Sequence, residues 1–244
     1  MIIQDDNRRD QTRGPSTDGD IWAVLPVKDI EGAKGRLSPV LSPTERQSLF
    51  RAMLEDVLEV LSAVRRLSGV LLVTKDQHVC NLGQRFAART LTESENQGQT
   101  AAVTLAAKTL VAEGVHGMIT IPADVPLATS AEINALLQAH ASAPAITIAP
   151  AHNELGSNAV VCSPPDILPL CFGDNSFLPH LKRARQLGIE PRIVSQPGLS
   201  LDIDTPEDLV SFVQRPSLTR AFAYLRDSGI ALRLTTRADG TGTA

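Results

Sequence analysis

From residue 21 onward, short apolar runs alternate with segments of helical periodicity. Runs such as IWAVLPV, VLLVT and AITIAP have the length and the β-branched character of buried strands. The segments between them carry helix signals, such as the capping box of Ser42 and Glu45 with Pro43 at the first helical position. Strands that alternate with helices form a mostly parallel sheet covered on both faces. The sequence therefore predicts an α/β fold, a single three-layer domain with a Rossmann-like sheet.

The 244 residues divide by composition into three parts. Residues 1–20 are rich in Asp, Arg, Gly and Ser and predict a disordered leader. Residues 21–214 hold the alternating pattern and are long enough for one domain of ordinary size. Residues 215–244 predict one more helix, over 217–228, followed by a polar tail with no packing signal.

The composition argues against nucleic acid and membranes as partners. A net charge of −4 and an aromatic share of 3% provide neither the basic field nor the stacking surface that nucleic-acid binding needs. No apolar run approaches the length of a membrane span, and the polar N-terminus does not resemble a secretory signal. Cys80, Cys162 and Cys171 lack C-x-x-C spacing and predict free thiols in a reducing compartment. We therefore expect a cytoplasmic protein that acts on small molecules; a homodimer is left open.

Three aspartates stand where apolar runs end. Asp202 and Asp204 lie two residues apart in LSLDID, which reads as a strand, so both side chains should leave the same face. Asp124 follows the apolar run GMITIP and lies within the loop segment PADVPL. Open α/β sheets bind ligands at the carboxyl ends of their strands, and carboxylates suit a hard cation such as Mg²⁺. The alternative is a set of solvated acids at strand ends.

A loop rich in cations follows the first predicted strand. It gathers Lys28, Lys34 and Arg36 before a capped helix, an arrangement that suits a polyphosphate. A solvated basic loop is the alternative. The sequence contains neither the P-loop pattern nor G-x-G-x-x-G after a strand, which disfavours ordinary ATPases and dehydrogenases. Three acids facing three cations predict a site in which a nucleoside triphosphate lies between metal ions and basic residues.

Two loops of small residues complete the candidate site. One is Gly156-Ser157-Asn158-Ala159, and the other runs over residues 172–177 and ends at a helix that Ser176 opens. Free amides at a helix N-terminus bind phosphate or carboxylate groups. Ser176 could alternatively serve only as a helix N-cap.

The segments PVK, AKGRL, LSPTER, PADVPL, GSNA, FGDNSF and LDIDTPEDL occur in this order over about residues 21–210. Together they resemble the guanylyltransferase family of deazaflavin coenzyme (factor 420) biosynthesis. The resemblance implies a nucleotidyltransferase, GT-A-like fold. It also implies transfer of the guanylyl group of GTP to a small phosphorylated three-carbon acid, with release of pyrophosphate and with one or two Mg²⁺ ions.

The resemblance also assigns roles to residues, and three positions depart from it. Gly98-Gln99-Thr100 stands where the family often has G-L-N, Ser157 replaces the threonine of its G-T-N loop, and Asp174-Asn175 replaces a Pro-Gly. The predicted site residues are Lys28, Lys34 and Arg36 for catalysis, Gly98, Gln99, Thr100, Gly156, Ser157, Asn158, Gly173 and Ser176 for substrate binding, and Asp124, Asp202 and Asp204 for metal.

The acceptor is the least constrained part of this prediction. Phosphoenolpyruvate, 2-phospho-L-lactate and 3-phospho-D-glycerate all carry a phosphate and a carboxylate. Polar residues near the family's loop positions favour 3-phospho-D-glycerate, because a buried hydroxyl needs a polar partner. These residues are Gln97, Gln99, Thr100, His152 and Asn153. A sugar-1-phosphate nucleotidyltransferase and a non-catalytic nucleotide-binding regulator are the alternative functions.

Overall fold

A computed structural model describes residues 20–93, 97–173 and 175–240. All but the last residue of the predicted leader 1–20 lie outside the described residues, as do Asp174 and the last four residues of the predicted tail. No helix in the described part of the chain is long and apolar enough to cross a membrane.

In the described part of the chain, seven strands form one sheet, in the order β3-β2-β1-β4-β6-β5-β7. Strand β6 runs antiparallel to both of its neighbours, and the other pairings are parallel, so the predicted mostly parallel sheet is confirmed. The strands are β1 (Ile21–Pro26), β2 (Gly69–Val73), β3 (Arg89–Leu91), β4 (Gly117–Thr120), β5 (Ala145–Pro150), β6 (Ser157–Ser163) and β7 (Arg192–Ile193).

Helices cover both faces of this sheet. Successive residues of β1 alternate between two core clusters, with Ala23 and Leu25 in one and Val24 in the other. The cluster of Val24 is closed by α3 and α5, and the cluster of Leu25 by the other helices, which confirms the three-layer fold. The helices are α1 (Pro43–Ala63), α2 (Gln77–Arg85), α3 (Gln99–Ala112), α4 (Ser130–Ala139), α5 (Phe177–Gln186), α6 (Pro206–Val213), α7 (Arg220–Asp227) and α8 (Ile230–Gly240), with a short 3-10 helix at Gly35–Leu37.

The segment LSLDID is not a strand, contrary to the prediction. It lies beside the loop that follows β4 and near the start of β6, and Ile203 N donates to Asp124 O at 3.0 Å. A single bond of this kind does not make a ladder. The predicted alternation is nevertheless present, because Leu201 and Ile203 are buried while Asp202 and Asp204 are partly exposed.

The segment after the helix predicted at 217–228 is also helical over the described residues. Helix α8 follows α7 after a turn, and it extends into the segment predicted as tail. Ile230 and Leu234 lie one helical turn apart, and both are buried in the core cluster of Leu25. That two-residue apolar stripe was too short to stand out beside the polar residues after it.

Candidate active site

A cleft of about 540 Å³ opens at the carboxyl ends of β1 and β4. The loop after β1 forms one wall, the start of α3 another, and the loop after β4 the floor. Ligands of open α/β sheets bind at this edge. The predicted residues that line this cleft are Lys28, Lys34, Arg36, Gly98, Gln99, Asp124 and Asp204.

Lys34 lies at the centre of this arrangement. Its backbone is in the left-handed region (φ 57°, ψ 40°) just before the 3-10 helix. Its ammonium donates to Asp124 Oδ2 and, at 2.6 Å, to Asp204 Oδ1. The sequence analysis placed Lys34 across the site from the acids, whereas the structure places it between two of them. Lys28 and Arg36 are exposed and remain on the rim.

The cluster of Lys34 with Asp124, Asp202 and Asp204 carries an excess of negative charge. Burial acts to lower the pKa of Lys34, but the carboxylates of Asp124 and Asp204 outweigh it, so this pKa is raised and the ammonium stays charged. Burial, together with the charges of Asp204 and Asp202, raises the pKa of Asp124 against the effect of Lys34. One lysine thus stands among three carboxylates, and this excess of negative charge favours a further cation.

The residues present fit a hard cation. Asp124 Oδ1 is buried and has no hydrogen-bond partner within the described part of the chain. A buried carboxylate oxygen without a partner is costly, and a cation would satisfy it. Within the described residues, no three His, Cys, Asp or Glu side chains are grouped so that they could hold a metal ion by themselves. Because Lys34 takes up carboxylate oxygens, ligands from a substrate phosphate would have to complete the coordination.

The two loops of small residues lie beside the carboxylates and outside the lining of the cleft. Asn158 Nδ2 donates to Asp202 Oδ1 at 3.0 Å and also to Leu199 O at 2.9 Å. Asn158 therefore joins the start of β6 to the segment that carries Asp202. Gly156 precedes this strand, and Gly173 is exposed with a φ of 149°.

Ser176 occupies the N-cap position of α5, as in the alternative interpretation, but its side chain does not cap the helix. Its hydroxyl makes no capping bond to α5 and instead accepts a hydrogen bond from Ser157 N at 2.9 Å. Both serines are buried. Thr100, in the first turn of α3, accepts from Phe172 N at 2.9 Å and so connects the cleft to the second loop.

Sequence reasoning missed two residues of this region. Glu93 lines the cleft, and burial raises its pKa against the charges of Lys75 and Lys28. Its position just after β3 obeys the same strand-end rule as the aspartates and could have been noticed. His180 is buried and contacts Ser157. Its spacing of four residues from Ser176 was the available signal.

Comparison with protein families identifies relatives of this chain. The family model described as "Guanylyl transferase CofC like" matches residues 21–242. A phosphoenolpyruvate guanylyltransferase of Rubrobacter xylanophilus is 36% identical over 189 residues, which cover 78% of this chain and 91% of the relative. A 2-phospho-L-lactate guanylyltransferase of Methanothermobacter thermautotrophicus is 36% identical over 84% of this chain and 89% of the relative. A 3-phospho-D-glycerate guanylyltransferase of Colwellia psychrerythraea is 32% identical over 76% and 88%.

Solved structures share the fold at low sequence identity. A Desulfovibrio desulfuricans G20 protein named as a nucleotide-diphospho-sugar transferase has a TM-score of 0.71 at 16% identity, with 88% of this chain and 97% of that chain covered. A nucleotidyl transferase from Methanothermobacter thermautotrophicus has a TM-score of 0.58 at 17% identity, with 85% and 99% covered. The predicted nucleotidyltransferase fold is therefore confirmed.

Proposed function

The chain belongs to the CofC-like guanylyl transferase family, and we propose that it transfers the guanylyl group of GTP to a small phosphorylated three-carbon acid, with release of pyrophosphate. Because the family model and the relatives are named guanylyl transferases, the chain is a guanylyltransferase enzyme. The observation that carries the proposed reaction is the cleft, which brings Lys28, Lys34 and Arg36 next to Asp124 and Asp204. We further propose that the reaction belongs to deazaflavin coenzyme biosynthesis and takes place in the cytoplasm.

The proposed step is an in-line displacement at the α-phosphorus of GTP. A phosphate oxygen of the acceptor forms the new P–O bond while the bond to the β-phosphate oxygen breaks, and pyrophosphate carries away that electron pair. The attacking phosphate is already anionic at neutral pH, so the step needs no general base. Repulsion between two anions is the barrier, and positioning and electrostatic stabilisation lower it.

The chain's own cations are placed for this task. Lys28 and Arg36 are exposed on the rim of the cleft, where their positive charges can contact the triphosphate of GTP. The guanidinium of Arg36 can bind a phosphate in a bidentate manner. Lys34 holds Asp124 and Asp204 together through the two hydrogen bonds of its ammonium. These two carboxylates, with Asp202, would hold Mg²⁺, which when bound supplies further neutralisation of phosphate charge.

All three acids carry a phosphate and a carboxylate, so residues that bind these two groups cannot distinguish one acid from another. Residues that contact the rest of the acceptor must select it. Two of the five residues that favoured 3-phospho-D-glycerate already have internal partners. Thr100 Oγ1 accepts from Phe172 N, and Asn153 Oδ1 accepts from Leu155 N at 2.9 Å. Relatives carry the names of all three acceptors. The choice of 3-phospho-D-glycerate stays a prediction.

A direct competition tests the proposal. The purified protein is incubated with GTP, Mg²⁺ and equal amounts of the three acids, and the products are separated by mass while pyrophosphate release is followed. We expect a guanylylated acid, with the 3-phospho-D-glycerate product dominant. The Asp204→Asn variant is the matched control and should release little pyrophosphate. No product from any acid would reject the proposal. Release with a sugar 1-phosphate would then favour the sugar-nucleotide alternative, and GTP binding without release would favour the regulator.

A further inference from the structure

A buried histidine, His180, contacts the two segments of small residues. His180, on α5, has no exposed surface. Its Nδ1 lies 3.0 Å from Ser157 Oγ, and its Nε2 lies 3.0 Å from Cys171 N. The imidazole therefore touches the start of β6 on one side and the loop before α5 on the other.

These contacts fix the tautomer of the ring. A backbone N–H can only donate, so Nε2 must accept from Cys171 N and the proton must lie on Nδ1. Nδ1–H therefore donates to Ser157 Oγ. Burial, and then the charge of Arg183, lowers the pKa of His180 to about 4, so the neutral ring is the form present at neutral pH.

The direction of this bond determines what the serine hydroxyl can do. Ser157 Oγ accepts from His180, and Ser176 Oγ accepts from Ser157 N. Neither hydroxyl donates to any acceptor within the described residues. Both hydroxyl protons are therefore without an acceptor among the described residues, and their oxygens cannot turn away without breaking a buried hydrogen bond.

The other side of the ring is connected to the cleft through the loop of Cys171 and Phe172. The residue after Cys171 is Phe172, whose ring packs edge-on against His180 with centroids 5.4 Å apart. Phe172 N donates to Thr100 Oγ1 in the first turn of α3, beside the cleft residues Gly98 and Gln99. The imidazole thus connects Ser157 with the wall of the cleft.

We propose that His180 is a positioning residue for the acceptor: it presents the Ser157 hydroxyl proton to an acidic group of the acceptor and fixes the loop of Cys171 against the nucleotide side. The inference rests on the proposed function, because it concerns the same site. His180 does not touch the reacting atoms and acts through Ser157. Loss of a hydrogen bond to a charged ligand weakens binding by about tenfold or more.

Two substitutions separate the two contacts of the ring. The amide of His180→Asn reaches the position of Nδ1 and can still donate to Ser157, whereas that of His180→Gln reaches the position of Nε2 and can still accept from Cys171 N. We expect His180→Gln to raise the KM for the acceptor about tenfold or more, with the KM for GTP changed less than about twofold. We expect His180→Asn to stay closer to the parent.

The chain supplies a matched control in His140. Its ring nitrogens lie 3.0 Å from the hydroxyls of Thr147 and Ser163, and burial, followed by Arg192, lowers its pKa to about 4. Because Ser163 is at the far end of β6, His140→Gln removes a comparable histidine away from the site. It should leave both KM values unchanged. Circular dichroism and thermal melting of each variant establish that it is folded.

Kinetics and calorimetry together decide the outcome. Ser157→Ala combined with His180→Gln should raise the acceptor KM no more than Ser157→Ala alone, because the histidine acts through that serine. Additive effects, equal changes in both KM values, or the same shift in His140→Gln would overturn the assignment. Calorimetric titration of the three acids into the parent and into each variant measures the acid affinities directly, without turnover. Binding without product rejects only the proposed reaction, whereas an acid affinity unchanged in His180→Gln, or no binding to the parent, rejects the role of His180.

Discussion

Replacing Lys34 by methionine should destabilise the whole fold, although Lys34 lies in the active-site cleft. Methionine keeps much of the aliphatic chain and removes the ammonium that bonds to Asp124 and Asp204. The side chains of Lys34 and Asp124 are only 6% and 19% exposed. Breaking a buried pair of this kind from one side costs about 3–5 kcal/mol.

The contact with Asp204 adds little to this figure. The side chain of Asp204 is 42% exposed, and pairs screened by solvent contribute about 0–1 kcal/mol. Asp124 Oδ1 already lacks a partner, so Lys34→Met would leave this buried carboxylate without any side-chain partner. We therefore expect the free energy of unfolding to fall by about 3–5 kcal/mol at neutral pH.

Urea denaturation followed by circular dichroism measures this difference. Lys108→Met is the control, because Lys108 is exposed on α3 and its loss should change stability by less than about 0.5 kcal/mol. Added Mg²⁺ should restore more stability to Lys34→Met than to the parent, since a cation that binds the folded state stabilises it. A loss below about 1 kcal/mol, or one equal to that of Lys108→Met, would refute the buried counter-charge.

The remaining predictions concern the acid, the rim cations and pH. Asp204→Asn should stay folded because its side chain is partly exposed, and its turnover, followed as pyrophosphate release, should fall at least about a hundredfold; a large loss of melting temperature would instead assign it a structural role. Lys28→Ala and Arg36→Ala should each weaken GTP binding, measured by calorimetry, far more than alanine at the exposed lysine of α3; equal small effects would leave only a solvated loop. The pKa values of His140 and His180 fall from 6.5 to about 4 on folding, so the unfolded state binds more protons between these values. Stability should therefore be complete above pH 6.5 and decrease as the pH falls toward 4, and glutamine at both positions should flatten this dependence in thermal melts.

The periodicity of the sequence was sufficient to predict the layers, and a chain-length argument would have predicted more. The run NAVVC has the apolar, β-branched character of a strand, but this pattern does not indicate the strand's direction. Only residues 151–156 separate β5 from β6. Parallel neighbours need a crossover of about a dozen residues or more, so a connection this short requires an antiparallel pair. The direction of β6 was thus available from the sequence, provided that the two strands were taken as neighbours.

The contact between Lys34 and the acids was not available in the same way. Lys34 is 90 residues from Asp124 and 170 from Asp204 in the chain. Strand-end rules place all three residues at one edge of the sheet, but they do not state which side chains touch. Lys34 makes this contact from a left-handed backbone conformation, which few non-glycine residues adopt. Periodicity contains no information on that conformation.

The reversed strand would allow one edge of the sheet to serve the two anions of the proposed reaction. Parallel strands present their carboxyl ends at this edge, and β6, which runs the other way, presents its beginning there. Ser157 and Asn158 therefore lie beside the acids, and Asn158 bonds to Asp202. Lys34 approaches the same acids from the loop after β1. Phosphates that enter from these two sides would meet at the carboxylates, where a cation lowers the repulsion that the proposed reaction has to overcome.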